Sequence, residues 1–281
     1  MNISILGTGL MGTAMGESII NAGFNLTVYN RTISRTQTLA DKGAKVVDTA
    51  EEAIKGSDIS IIVMLHGKAV VATLETLPAA TFDGKIIICA SSSTIAENEK
   101  MQKIVEHGGG QFVDMSIEVG YEQLAAGQGM VKVGASEATY AIIAPVLGKF
   151  MASVTRIGDV GEARKLEAVG LIGTMLPAIN VAYAVAFAQK LGISAETYVP
   201  YIQMLVPGSE YFLGNMSSNN YDQVFAAIES FVQGVSTSIE TAETLHIPTE
   251  YLHSALALYS KAIDLGYAGK DGSSVLEALI K

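Results

Sequence analysis

The chain has no tryptophan, six prolines and a single cysteine, Cys89. One cysteine excludes an internal disulfide and suits a reducing compartment. Inside the apolar run KIIICA it reads as a small core residue rather than a reactive thiol. Positive charge is scarce as well: 18 Lys and Arg stand against 28 Asp and Glu, a net charge of -10. No cationic stripe is visible, so a nucleic-acid partner is not expected and a small-molecule ligand is. The four histidines, His66, His107, His246 and His253, have no metal-ligand spacing, and Pro248 interrupts any helix common to the last two. Neither a nucleophile elbow nor a phosphate-transfer loop is present. The opening MNISILGTGLMG has no basic region before its apolar stretch and no small-residue cleavage site, so it does not read as a signal peptide and a cytoplasmic protein is expected.

One charge-free run, Ala168 to Ala188, is long enough to cross a membrane. Pro177 and Asn180 interrupt it and small residues dominate, so a helix buried in protein is expected, not a membrane span. A helix apolar on all sides needs partners all around, which points to an intertwined dimer.

A length of 281 residues suits two domains. Strand patterns at Ile3 to Leu6, Asn25 to Tyr29, Lys45 to Val47, Ile59 to Leu65, Ile86 to Cys89, Phe112 to Met115, Met130 to Val133 and Ser153 to Ile157 alternate with helical ones. Thr32 to Lys42 reads as a polar helix, and Thr49 with Glu52 forms a capping box at the start of another. This alternation predicts an α/β domain with a doubly wound parallel sheet over residues 1–158. Residues 159–281 read as an all-α domain, with helices over Glu162 to Leu191, Ala195 to Leu205, Tyr221 to Leu245 and Thr249 to Leu265. Met204 and Met216 read as core and pocket filling.

GTGLMG, Gly7 to Gly12, fits GxGxxG and lies between the first strand and a helix. In that context Gly7 allows the tight turn, Gly9 lets backbone approach a pyrophosphate, and Gly12 lets helix and strand pack closely. The helix N-terminus, with Leu10 and Met11, offers its positive end to phosphates. About 20 residues further on, a site for NAD carries an acid for the ribose hydroxyl. This chain has Asn30, Arg31 and Thr32 there, with Arg35 a turn later. Arg31 can pair with a 2'-phosphate while Asn30 and Thr32 donate hydrogen bonds, so NADP (NADPH) is the expected cofactor.

GTGLMG, VYNRT, the VML of Val63 to Leu65, GEARKLEAVG and the C-terminal GYAGKDGSSVLEAL together resemble the beta-hydroxyacid dehydrogenase superfamily, with its 6-phosphogluconate dehydrogenase-like NADP-binding domain. Within it the chain is most similar to the imine reductases, whose helix pair is matched by LEAVGLIGTM and AYAVAFAQKLGISAETYVPYIQML. The resemblance covers essentially the whole chain. It implies an N-terminal Rossmann domain, a long interdomain helix and a helical domain exchanged with a second subunit to make a homodimer. The active site then lies between one subunit's Rossmann domain and the partner's helices, and Met64, Leu65 and Ser92 join the cofactor contacts.

The departures from that pattern bear on chemistry. Lys165 falls at the dehydrogenases' catalytic lysine, but the asparagine one turn later is replaced by Ala168 and Val169. Ser92 and Ser93 match a serine-threonine pair, with Ala90 in place of the acid before it. Glu118 stands for the substrate-loop serine, and Glu229 for a lysine of the C-terminal domain. The aspartate or tyrosine that imine reductases carry near Ala168 is missing. An imine-reductase-like protein with an atypical proton donor is therefore expected. The alternatives are a beta-hydroxyacid or semialdehyde dehydrogenase that uses Lys165, and an NADP-binding protein without catalysis.

Four residues are the candidates for chemistry: Lys165, Glu118, Ser92 and Tyr121. Lys165 has Ala168 and Val169 as same-face neighbours; an apolar surround would lower its pKa toward use as an acid or base. Its other reading is a surface charge paired with Glu162 or Asp159. Glu118 is either an anchor for a cationic substrate or an exposed loop acid, and could pair with Lys165 if both face the pocket. Tyr121 and Tyr211 are hydroxyl donors or packing residues.

Overall fold

The computed structural model describes residues 1–281, apart from the side chain of Tyr211. It contains two compact units, Met1–Glu167 and Ala168–Lys281.

The first unit is built on one eight-stranded sheet. In chain order it runs β1 (Asn2–Leu6), α1 (Leu10–Asn21), β2 (Asn25–Tyr29), α2 (Gln37–Ala40), β3 (Lys45–Val46), α3 (Ala50–Lys55), β4 (Ile59–Ile62) and α4 (Gly67–Glu75). The second half follows as β5 (Ile86–Cys89), α5 (Ile95–His107), β6 (Gln111–Ile117), α6 (Tyr121–Ala125), β7 (Gly129–Gly134), α7 (Glu137–Leu147) and β8 (Met151–Gly158). The spatial order is β3-β2-β1-β4-β5-β6-β7-β8, so the order reverses at β1 and β4. Strands β4 and β5 are buried at every position, as their nearly continuous isoleucine runs require of strands covered on both faces. Ile5, Ile61, Ile88 and Val113 pack on one side of the sheet with Met15 and Ile19 of α1. Leu6, Ile62, Ile87 and Cys89 pack on the other with Ile54, Val71 and Val105.

The doubly wound, parallel-dominated sheet is as expected, with one antiparallel pair, β6 and β7. The link between them holds only the short α6, and a parallel return needs a longer crossover. The polar helix expected over Thr32 to Lys42 is instead a 3-10 turn, Ile33–Thr36, followed by the short α2. The capping box of Thr49 and Glu52 is present as read, and Thr94 with Glu97 forms a second one.

Helix α8 (Glu162–Lys190) leads from the first unit into the second. There α9 (Ala195–Leu205), α10 (Glu210–Ser218), α11 (Ile228–Thr244), α12 (Glu250–Ala262) and α13 (Glu277–Ile280) complete the chain. Val181, Ala182, Val185, Phe231, Val235 and Tyr259 form the centre of its core. Within the single chain α8 is buried along one side only, for Tyr183, Phe187 and Leu191 are 46%, 66% and 72% exposed. Helix α11 starts at Ile228 rather than Tyr221, since the residues before it form an irregular, bent segment tied to residues near the C-terminus. Phe225 N donates to Asp271 Oδ2 at 2.9 Å and Ile228 N to Lys270 O at 2.8 Å.

The end of the chain is fastened by the buried carboxylate of Glu277, which accepts hydrogen bonds from the hydroxyls of Tyr221 and Tyr267, each at 2.9 Å. Lys281 Nζ lies 2.9 Å from it. Burial by itself would raise the Glu277 pKa, but bonds from Lys281, Tyr267 and Tyr221 outweigh it and hold the carboxyl below its usual range. A depressed folded-state pKa contributes stability above the unfolded value and loses it as pH falls through the folded one. Glu277→Gln is therefore expected to lower stability at neutral pH by about 1.5–3 kcal/mol, the scale of hydrogen bonds to a charged group. The wild-type advantage should disappear as pH falls below about 4, which urea denaturation of both proteins across pH would measure.

Candidate functional site

The candidate residues gather at the carboxyl ends of β1, β2, β4, β5 and β6, around the point where strand order reverses. In open α/β sheets this is where ligands bind. Gly7 follows β1 with φ of +105°, and a Cβ there would sit 2.2 Å from Val63 O. A Cβ on Gly12 would sit 1.9 Å from Gly7 O, whereas one on Gly9 would meet nothing within 4 Å. The first and third glycines are thus required by packing, and the second leaves backbone open to the outside.

The open face is suited to an anion. Gly9 is the N-cap of α1, which has no side-chain cap and no acid in its first turn, so the amide donors beyond Gly9 are left for a ligand. Thr8 Oγ1 is buried and without a hydrogen-bond partner. Leu10 is 57% exposed at the helix start, and Met11 is half-buried behind it. A groove of about 950 Å³ along this face is lined by Gly9, Leu10, Thr13, Arg35 and Tyr121. These features fit the pyrophosphate of a dinucleotide.

At the end of β2, Asn30 Oδ1 accepts from Thr8 N at 3.1 Å and its Nδ2 donates to Thr32 O at 2.9 Å. Asn30 therefore braces the glycine loop with one amide hydrogen and keeps the second as a donor. Thr32, Arg31 and Arg35 are exposed, and neither arginine has a carboxylate partner among the described residues. Beyond β4, Met64 N donates to Ser91 Oγ at 2.8 Å, which fixes the Val63 to Leu65 turn, and Leu65 is 61% exposed. His66 is a helix cap, its Nδ1 accepting from Ala69 N at 3.0 Å.

The four candidates for chemistry separate. Lys165 is exposed and donates to Glu162 Oε1 at 2.6 Å, while Asp159 is taken by Arg156 at 2.7 Å. The hydrogen bond and charge of Glu162 raise the Lys165 pKa, opposite to the lowering expected from an apolar surround. The reason is geometric: its side chain points to solvent, and Val169 is 70% exposed and covers nothing. Glu118 is exposed and accepts from Ser116 Oγ at 2.7 Å, so it does not pair with Lys165. Tyr121 donates to Glu122 Oε1 at 3.3 Å, and burial followed by the Glu122 charge raises its pKa. Tyr211 lies outside the described side chains.

Ser92 is the candidate that leads to a buried network. Its hydroxyl donates to Glu167 Oε1 at 2.8 Å. Glu167 Oε2 contacts Arg164 Nη1, whose guanidinium is 2% exposed. Asp114 on β6 caps α8 from below, with Oδ1 accepting from Gly161 N at 2.6 Å and Oδ2 from Arg164 N at 2.7 Å. Burial raises the Asp114 pKa against these bonds. Sequence reasoning passed over Arg164, Glu167 and Asp114, because it followed the helix face of Lys165. The available signal was the i, i+3 spacing of Arg164 and Glu167, which places an acid and a base side by side.

Two variants test the loop. Gly12→Ala is expected to destabilise the fold, since its Cβ would overlap backbone. Gly9→Ala should leave the melting temperature unchanged while weakening nicotinamide dinucleotide binding by tenfold or more, measured by calorimetry alongside thermal unfolding. Equal binding by Gly9→Ala and wild type would remove this loop as the phosphate site.

Comparison with known proteins agrees with this geometry. Residues 2–158 match the family model of the NAD binding domain of 6-phosphogluconate dehydrogenase. Glyoxylate/succinic semialdehyde reductase 1 of Arabidopsis thaliana is 24% identical over 99% of this chain and 98% of its own. The 3-hydroxyisobutyrate dehydrogenase of Salmonella typhimurium superposes with a TM-score of 0.85 at 22% identity, covering 98% of this chain and 99% of that one. The imine reductase of Myxococcus stipitatus, solved in complex with NADP+, superposes with a TM-score of 0.70 at 21% identity, covering 99% of this chain and 100% of that one. With the family model spanning its entire strand-bearing half, the chain belongs to the 6-phosphogluconate dehydrogenase-like family and is an NAD(P)-dependent oxidoreductase.

Proposed function

We propose that the protein is an NADPH-dependent imine reductase that reduces a C=N bond of a small molecule. The observation that carries this reading is the Ser92 and Glu167 pair, a hydroxyl bonded at 2.8 Å to a carboxylate on the first turns of α8. Bound NADPH supplies the hydride. The protein's part is to hold the acceptor and manage charge on its nitrogen. An iminium carbon is electrophilic because its nitrogen is positive, and a carboxylate stabilises that charge. A carbonyl acceptor gains negative charge on oxygen and calls for a cation, whereas Lys165 is held by Glu162. Glu167 is therefore assigned the positive nitrogen, and Ser92 the hydroxyl that holds its carboxylate in place.

NADPH rather than NADH is favoured by the absence of an acid at the end of β2 and by the unpaired Arg31 and Arg35. We further propose that the protein acts as a domain-exchanged homodimer, which would cover the exposed Tyr183, Phe187 and Leu191. A second reading is reduction of a semialdehyde through Lys165. It is favoured by the position of Lys165 in GEARKLEAVG and by the Arabidopsis thaliana relative.

Loss of NADPH absorbance against a cyclic imine, a ketone with amine, a semialdehyde and a set of beta-hydroxyacids separates the readings. Imine turnover is expected, and Glu167→Gln should reduce it by about 10²–10³-fold, the range for removing one group that stabilises charge in the transition state. Lys165→Met should retain it. The reverse pattern, with a semialdehyde turned over and lost in Lys165→Met, would establish the second reading. Arg31→Ala is expected to raise the NADPH dissociation constant about tenfold or more, on the scale of one charge-assisted bond, and to leave NADH binding unchanged. A uniform loss for both nucleotides would contradict the NADPH assignment.

A further inference from the structure

Behind the Ser92 and Glu167 pair lies a charge that nucleotide binding does not account for. Arg164, at 2% exposed, is the one buried lysine or arginine among the described residues. Its backbone N–H is bound by Asp114. Its Nη2 donates to Cys89 O at 3.4 Å and Met115 O at 3.3 Å, on β5 and β6, and Nη1 contacts Glu167 Oε2. Nε has no partner. Burying an arginine is costly unless a carboxylate compensates it, and a guanidinium does not shed its proton to escape that cost.

The groups around Arg164 narrow the choice of counter-ion. Cys89 on β5 is kept protonated by burial. Asp114 on β6 is raised by burial and already accepts two backbone amides. Asp114 and, on α5, Glu97 both act on Arg164 through their charge, and Glu97 Oε2 also accepts from Thr94 N at 2.8 Å. On α8 itself, Glu162 and Lys165 neutralise each other. Glu167 is left as the carboxylate in direct contact with the guanidinium.

We infer that Arg164 is a positioning residue, which anchors the Glu167 carboxylate against Ser92 and keeps it anionic, so that the site favours acceptors that carry positive charge. This deepens the imine-reductase reading and rests on it for the role of Glu167. It assigns the substrate class as iminium ions, cyclic or formed from a carbonyl and an amine, over neutral carbonyls. A neutral residue at 164 would let Glu167 take up a proton at higher pH than in wild type and weaken that preference.

The test reads the Glu167 carboxyl directly and needs no substrate. Full-length protein carrying 13C in its glutamate carboxyls is titrated by NMR, with the Glu167 signal assigned by its loss in Glu167→Gln. In wild type the carboxyl is expected to titrate below the ordinary glutamate value of about 4.3. In Arg164→Met it should move up by about 1–3 pH units, the effect of removing an opposite charge in contact. NADPH binding should persist in that variant. An ordinary or raised titration in wild type, or an unchanged one in folded Arg164→Met, would overturn the role. If Arg164→Met does not fold, the wild-type titration decides alone. Failure of imine turnover with a low Glu167 titration would sink the imine reading and leave the Arg164 contact standing. Imine turnover with an ordinary titration would do the opposite.

Discussion

The Asp114 carboxylate is the point on which the site depends. It projects from β6 and accepts the amides of Gly161 and Arg164, so the sheet supplies the cap for the long helix α8. Amides at a helix start lack intrahelical partners, and a carboxylate there satisfies them and meets the positive end of the helix dipole. Space for it is ensured by Gly134, where a Cβ would fall 2.3 Å from Asp114 Oδ1. Once the start of α8 is held in this way, Arg164 is directed inward and Lys165 outward. Glu167, one turn on, is brought to Ser92.

This arrangement separates two residues that are close in sequence and opposite in consequence. Lys165 lies in solvent against Glu162, its ammonium form stabilised. Glu167 lies between a buried guanidinium and a hydroxyl. The charge offered to a ligand from this part of α8 is accordingly negative, which favours a positive acceptor. At the glycine loop the polarity is reversed, with free amides at the start of α1 and two unpaired arginines nearby. The glycine loop and the start of α8 thus present opposite fields within the same unit.

Much of the fold was legible in residue order. The isoleucine runs of β4 and β5, the glycines of the first turn and the Thr49 capping box each depend on local rules, and each is present where the pattern placed it. The antiparallel return of β7 was not legible, since strand direction follows from the length and path of a connection rather than from the strand's own residues. The start of α11 was missed for a related reason: residues 221–227 have helical composition but form a bent segment held by Asp271.

The candidate site divides along the same line. Gly7, Gly9 and Gly12, the lack of an acid after β2 and the presence of Arg31 and Arg35 are properties of a local segment, and the sequence by itself determined that a dinucleotide's phosphates have a place here. Tertiary structure decided that Asn30 braces the loop, that Lys165 faces water and that Glu167 meets Ser92 across 75 positions of chain. Periodicity tells which residues share a helix face. Which face turns inward depends on the buried carboxylate that receives the helix, and that carboxylate comes from a distant strand.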